Sequence, residues 1–342
     1  MSSSINNHPA YSPRFNVTVG SEKFQEPGGR IADLVVETTF DGADRFSFTL
    51  NYPFDEERDQ FAGLDWDRFS IGTDVEIAMG YGDDGQLTDL LTGKIQSINT
   101  EFTTDRGPSV QVSGYGLLWE MMQGSNSTSW TDTTIGDAID DVLSSYSFSS
   151  VTVESADIKR EKLIQDDRSD YQFVDQLATA YGFEFYAERD SAKVVPRSSR
   201  ANDSDPIAEL WYGEDLHDFF GEITDRRQNY QVEVRSWDVK KKEELTVTAG
   251  SSTATHKEVF RIPAMSRDEA EQIAETKLNQ LSGGTVQAHG ETDGIPELRA
   301  GVTVDLAELG SRFSGTYHVT NATHRMGASG YRTTFEATEV SG

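Results

Sequence analysis

Two distant stretches of the 342-residue chain share one pattern of strands and glycine turns. A chain that carries such a pattern twice is constrained to a fold with two similar β units. In the later stretch, residues 300–338, a strand reads at 301–307 and a turn at Gly310-Ser311. A second strand follows at 314–320, and a third at 331–337 after the Gly327-Ala328-Ser329-Gly330 turn. The earlier stretch offers strands at 72–78, 92–98 and 109–113. Gly93 to Val110 spans 17 residues, as does Gly315 to Arg332, which aligns Gly93 with Gly315. Only the connector after the first strand, residues 80–85, is longer in the early copy. Glycines stand at the turns, where positive φ is needed.

The rest of the chain is acidic. Its net charge is −28, with Arg at 20 residues and Lys at only 10. The carboxylates are spread along the whole length, and 36% hydrophobic with 10% aromatic residues exclude a disordered acidic tract. A folded protein with a solvated carboxylate surface is expected, from an organism with high internal salt, such as a haloarchaeon, where screening removes most self-repulsion. Such a surface disfavours specific nucleic-acid binding, which needs a concentrated basic patch. The Lys240-Lys241-Lys242 run reads as a solvated hairpin turn. There is no cysteine, hence no disulfide and no thiolate site. No apolar run approaches the roughly 20 residues of a membrane span. The N-terminus lacks the basic and apolar regions of a Sec signal.

In chain order, residues 1–13 read as a flexible N-terminal arm. Strands follow from Phe15, and the alternation from Asp33 to Tyr52, interrupted by Asp41-Gly42, places Phe46, Phe48 and Leu50 on one face. Residues 53–68 read as irregular with a short helical turn, and 123–129 as a polar linker. Ile135, Ala138, Ile139, Val142, Leu143 and Tyr146 then recur at helical spacing behind Thr133 or Thr134 as N-cap. A second helix starts at Ser169 and carries Phe173, Val174, Leu177, Ala178 and Tyr181 to a stop at Gly182. A hairpin, 183–196, closes this part. Later strands are expected at 230–237, 244–248 and 258–263. Ser266 with Glu269 forms a capping-box signature for a helix ending at Gly283-Gly284. The expected fold class is mainly β with an α+β insertion and two tube-like antiparallel β-barrels. The expected domains are 14–124 plus about 206–224 as the first barrel, 125–205 as the insertion, and 225–342 as the second barrel with helix 266–282.

No chemistry stands out. Asp83-Asp84, Asp140-Asp141 and Asp166-Asp167 read as solvated surface, and Asp83-Asp84-Gly85 lacks the ligand pattern of a calcium loop. The histidines show no metal-ligand spacing, and His318 and His324 read as barrel packing or surface. No nucleophile elbow, P-loop or dinucleotide fingerprint is present. No catalytic, metal or cofactor residue is therefore assigned, and no cofactor is expected. A glycoside hydrolase using two carboxylates, or a monomeric carbohydrate-binding β module, are the alternatives that remain.

Four motifs carry a resemblance. Residues 164–183, with Gln165, Ser169, Asp170, Phe173, Leu177 and Gly182, resemble a helix motif of the phage late control protein D family. Residues 266–281 resemble a second helix of that family. Residues 290–301, with Gly294, Pro296 and Gly301, resemble its entry to the last barrel. Gly315, Tyr317, His324 and Tyr331 match its ending. These are contractile-tail baseplate hub proteins, similar to the hub part of type VI secretion spikes. The resemblance implies no enzyme but a homotrimeric structural hub with two tube-like barrels per chain. Three chains would present a pseudo-sixfold ring and so act as a symmetry adaptor between a hexameric inner tube and a trimeric spike. It also implies contacts with other baseplate components, assembly in the cytoplasm, and an extracellular site with the particle, either a virion tail or an injection system. Because the sequence stops just past the second barrel, a separate spike chain is expected.

Overall fold

In a computed structural model, residues 12–25, 29–40, 42–82, 86–104, 107–154, 156–196, 205–223, 230–238, 243–262, 264, 266–282 and 286–340 are described. Residues 1–11 of the expected arm, Asp41, Asp83-Asp84-Gly85, the lysine turn and Gly283-Gly284 lie outside them. Pro13, placed in the arm by sequence, already pairs with Tyr81 in a strand.

The chain opens with β1 (Pro13–Val19), β2 (Glu22–Gln25), β3 (Ile31–Thr39) and β4 (Arg45–Leu50). A small hairpin, β5 (Phe54–Asp55) and β6 (Gln60–Phe61), and a 3-10 turn at Trp66–Phe69 lead to β7 (Asp74–Tyr81), β8 (Thr88–Thr103) and β9 (Gly107–Gly116). Then come α1 (Leu118–Met121), β10 (Asn126–Thr134), α2 (Ile135–Leu143), β11 (Ser150–Val153), β12 (Lys159–Arg168), α3 (Asp170–Ala180), β13 (Phe183–Glu188) and β14 (Ser191–Pro196). After β15 (Glu209–Trp211) and β16 (Leu216–Ile223) follow β17 (Tyr230–Asp238), β18 (Glu243–Gly250), β19 (His256–Arg261) and α4 (Arg267–Ser282). The chain ends through β20 (Val286–Asp293), β21 (Thr303–Ala307), β22 (Gly315–Gly327) and β23 (Gly330–Glu339).

The largest sheet among the described residues has 13 strands and holds two units of one topology. In the first, a hairpin and a meander lie in the order β3-β4-β9-β8-β7. In the second the order is β16-β20-β23-β22-β21, again antiparallel throughout. The likeness extends to register. Gly93 faces Gly116 and Tyr317 faces Glu339, with a bulge after Ile95 in one unit and after Val319 in the other. The Gly72 amide donates to the Ile95 carbonyl, and the Gly301 amide to that of Val319. Gly72 and Gly301 share positive φ, 86° and 100°, as do the turn glycines Gly107 and Gly330, 76° and 92°.

The repeat is therefore structural, but the sequence alignment of its second strand is displaced. Gly93 corresponds to Tyr317, not to Gly315. Side chains alternate with a period of two, so a shift of two residues keeps every face and is invisible in the pattern.

Each unit encloses its own core. Val75, Ile77 and Met79 of β7 pack with Phe46, Phe48 and Leu50 of β4, which share one face as their spacing predicts. Val304, Leu306, Tyr317, Val319 and Phe335 fill the second unit. Burying each such side chain contributes about 1.5–3 kcal/mol. The two units share an edge. β22 is long enough to pair twice, with β21 through residues 315–318 and with β3 through residues 321–326.

Three expectations need correction. Residues 206–223 do not complete the first barrel. β15 pairs with β21 and β16 with β20, and Ala208, Leu210 and Leu216 lie in the second core. Strands β17, β18 and β19 with α4 do not belong to the second barrel either. They form a separate three-stranded sheet whose Val232, Val234 and Ala249 pack on Ala270, Ile273 and Ala274, inserted between β16 and β20. Finally, the polar stretch after Gly124 is not a linker. Asn126–Thr134 is β10, paired with β12, because its alternating Ser and Thr leave Trp130 to cover the insert core.

The α+β insertion has its own core, with Phe173 and Val174 of α3 packed with Ile139 and Leu143 of α2. Thr134 caps α2 by accepting from the Asp137 amide at 3.0 Å. Helices α3 and α4 bring the two inserts together: the Lys277 ammonium donates to the Thr179 carbonyl at 3.2 Å. Gly182 admits Thr276, whose atoms would stand 3.2 Å from a Cβ there.

Candidate functional site

The motif residues gather at two places. The first is the N-terminus of α3. Ser169 and Gln172 form a reciprocal capping box. Asp170 stands at the first helical position, where the helix dipole favours a carboxylate. It accepts from Gln165 Nε2 at 2.7 Å, Asn126 Nδ2 at 2.9 Å and Tyr146 Oη at 2.6 Å. Burial opposes ionisation of Asp170, but these three donors hold its carboxyl below the usual range. Tyr146 is beyond the end of α2 and serves this cluster; burial and the adjacent Asp170 push its phenol up. Phe173 stacks on Trp130 at 5.0 Å between ring centres, and Leu177 packs against the same core. This cluster ties β10, β12, α2 and α3 into one body.

The second place is the joint between the two units. Gly294 lies on the ring of Tyr331: a Cβ there would stand 2.1 Å from ring carbons. Tyr331 Oη and His324 Nδ1 are 2.9 Å apart, and Thr333 Oγ1 is 3.2 Å from the same nitrogen. His324 is buried on β22, opposite Val36 of β3, and burial pushes its pKa down to about 4. Tyr331 reaches the first unit as well, 5.9 Å from the ring of Tyr81. Pro296 sits over Gly80, and Thr88 Oγ1 donates to Glu297. Gly301 makes the turn into β21, and Gly315 begins β22 opposite Leu306. Tyr317, fully buried in the second core, donates to the Phe313 carbonyl at 2.8 Å, and burial pushes its phenol up to about 12.

Sequence reasoning missed several residues at these joints. Asp44 is buried between β3 and β4, accepting from the Thr39 amide at 3.0 Å; burial raises its pKa to about 7. The Ala300 amide donates to Thr38, and Phe40 stacks on His318 at 5.5 Å. Glu188 of the insertion is held by Lys193 and by Arg299 from the second unit. Arg160 joins the two inserts, meeting the Glu269 carboxylate and donating to Tyr181 Oη at 2.8 Å. In the capping-box signature Ser266 accepts from the Glu269 amide, while the Glu269 side chain reaches Arg160. A partner 109 residues away leaves no local signal.

None of this resembles a reaction centre. Asp141 accepts from Trp130 Nε1 and Asp167 from Ser125 Oγ, so both adjacent-carboxylate pairs of the insertion have local structural contacts. Among the described residues, no group of three or more His, Asp or Glu is arranged to hold a metal. Among the described residues, no helix is long and apolar enough to cross a membrane.

The fold has relatives of known structure. A tail protein from Neisseria meningitidis superposes with a TM-score of 0.74 at 15% identity, over 96% of this chain and 97% of its own. The 43 kDa tail protein of prophage MuSo2 from Shewanella oneidensis gives 0.76 at 11% identity, over 96% and 99%. The E. coli c3393 protein gives 0.58 at 12% identity, over 95% and 75%; it is a type VI secretion component with structural similarity to the T4 tail proteins gp27 and gp5. The chain thus has the fold of these tail proteins. No curated protein matches its sequence. Residues 49–327 match the family model of the Alg8 N-terminal domain, and the chain belongs to that family.

Proposed function

We propose that this protein is a structural baseplate hub of a contractile tail-like particle, a homotrimer that adapts a hexameric inner tube to a trimeric spike. One observation carries the reading: each chain holds two β units of the same strand order and register, including the bulge, joined edge to edge. Three chains then offer six near-equivalent units, which match a sixfold tube on one face while the whole keeps threefold symmetry for a spike. The likeness to tail proteins over 96% of the chain supports it, as do the late control protein D motifs, which lie at the joint and at the insert helix. The tube, the spike and other baseplate components are its partners. It assembles in the cytoplasm and acts outside the cell with the particle. The carboxylate surface, net charge −28, suits a high-salt organism. The role is not enzymatic.

Light scattering of the purified protein in molar salt tests this directly. The expected mass is that of three chains, and antibody labelling of particles in negative stain places it once per particle, at the tube tip. A stable monomer, even with its spike present, overturns the reading. So does glycoside turnover abolished by a single Asp or Glu substitution.

A further inference from the structure

Lysine is scarce in this chain and unevenly spread. Residues 226–261 hold four of the 10 lysines and four of the 20 arginines, against five Asp and Glu. This short segment is therefore basic, while the chain as a whole carries −28. It encloses β17, β18 and β19, the sheet inserted between β16 and β20. In the first unit, residues 40–44 alone join the equivalent strands β3 and β4. The basic sheet thus occurs once per chain and has no part in what makes the two units alike.

The sheet has one covered face and one open face. Val232 and Val234 of β17, with Ala249 and Val247 opposite on β18, pack on α4. Side chains alternate, so Glu233, Arg235 and Trp237 lie on the other face. Thr248, Thr246 and Glu244 stand opposite them on β18, and Lys257, Val259 and Arg261 beside them on β19. Among the described residues, none of these open-face side chains joins the core of this insert. Trp237 is 60% exposed and Val259 40%.

The charges on the open face are unlike the rest of the surface. Glu233 Oε1 accepts from Arg235 Nε at 2.6 Å, and its other oxygen meets the Lys257 ammonium. That carboxylate is only 7% exposed and is already matched by two cations. Arg235 also lies 3.8 Å from Glu244 at the rim. Arg261 is exposed beside Arg235 and makes no ion pair among the described residues. Cations thus outnumber carboxylates around an exposed tryptophan, and Trp with Arg is the composition of an interface centre. A nucleic acid is the poorer match, because a phosphate backbone laid across the face would meet Glu233 and Glu244. Carboxylates spaced along a peptide can reach the arginines and leave an apolar side chain for Trp237.

We propose that this open face docks an acid-rich segment of another protein, with Trp237 and Val259 taking its apolar side chains and Arg235, Lys257 and Arg261 its carboxylates. In molar salt, charges are screened beyond about 3 Å. The apolar contacts therefore hold the segment, and the cations select it by close pairing. The inference needs only one chain and stands apart from the hub reading.

Fluorescence anisotropy of a labelled peptide of Glu-Glu-Leu repeats, titrated with the full chain in molar salt, tests it. Saturable binding is expected, weakened at least about fivefold by Trp237→Ser and by Arg261→Glu. Both side chains are exposed, so the circular dichroism melts stay those of the parent. Arg312→Glu, at an exposed position of the second unit, leaves binding unchanged. Absence of saturable binding overturns the proposal, as does binding that both substitutions leave intact. A Gln-Gln-Leu peptide bound as tightly would make the face merely apolar, and a duplex oligonucleotide bound more tightly and released by Arg261→Glu would make it a phosphate surface; either result also overturns it. None of these outcomes changes the mass measured by light scattering, so the hub reading is judged separately.

Discussion

His324 Nδ1 lies 2.9 Å from Tyr331 Oη at the seam where β22 meets β3, and neither ring reaches solvent. Burial holds the imidazole neutral in the folded chain, with a pKa of about 4 against 6.5 when unfolded. Below pH 6.5 the unfolded chain therefore takes up a proton that the folded chain refuses until about pH 4. Stability falls as pH falls through this window, by up to about 3 kcal/mol from this group. Denaturant melts at steps between pH 8 and 4 check it: His324→Gln loses less stability on acidification than the parent chain.

Asp44 has the opposite sign. Its folded pKa of about 7 stands above the unfolded 3.8, so its stabilising share is complete below pH 3.8 and is lost as pH rises through 7. Asp44→Asn keeps the acceptor for the Thr39 amide and removes the buried charge. We expect it to stabilise the protein at pH 8 by about 1–4 kcal/mol, with the difference vanishing near pH 4. Equal effects at both pH values would show that the carboxyl is not neutral in the folded state.

Gly294 has no room for a side chain beside Tyr331. Gly294→Ala should cost about 1–3 kcal/mol through overpacking. Adding Tyr331→Leu should recover part of that loss, which a double-mutant cycle measures; strict additivity would place the strain elsewhere.

Arg160 and Glu269 are largely buried, at 7% and 18% side-chain exposure, and they bridge the two inserts. Removing one partner takes the opposite charge away from the other in a largely buried setting. Arg160→Ala should cost roughly 3–5 kcal/mol, and the paired change Arg160→Met with Glu269→Leu much less. Hydrogen exchange should show α3 and α4 loosening together in Arg160→Ala. Loosening of only one helix would mean that the pair does not couple the inserts.

Much of this protein was legible from local pattern. Alternation placed Phe46, Phe48 and Leu50 on one face, helical spacing behind Thr133 or Thr134 and from Ser169 marked α2 and α3, and glycines marked the turns of both β units. These features depend on neighbours within a few residues, and one sequence contains them whole. The tertiary structure alone decided which edges meet. Asn321 finds Glu37 across 284 positions, β15 and β16 leave the first unit for the second, and Ser–Thr-rich β10 becomes a strand because β12 lies beside it. It also decided the true alignment of the repeat, since period-two alternation cannot tell Gly315 from Tyr317 as the partner of Gly93. Pairing between distant strands is fixed by backbone hydrogen bonds and shared burial, which every alternating strand offers equally, so only the assembled sheet selects among them.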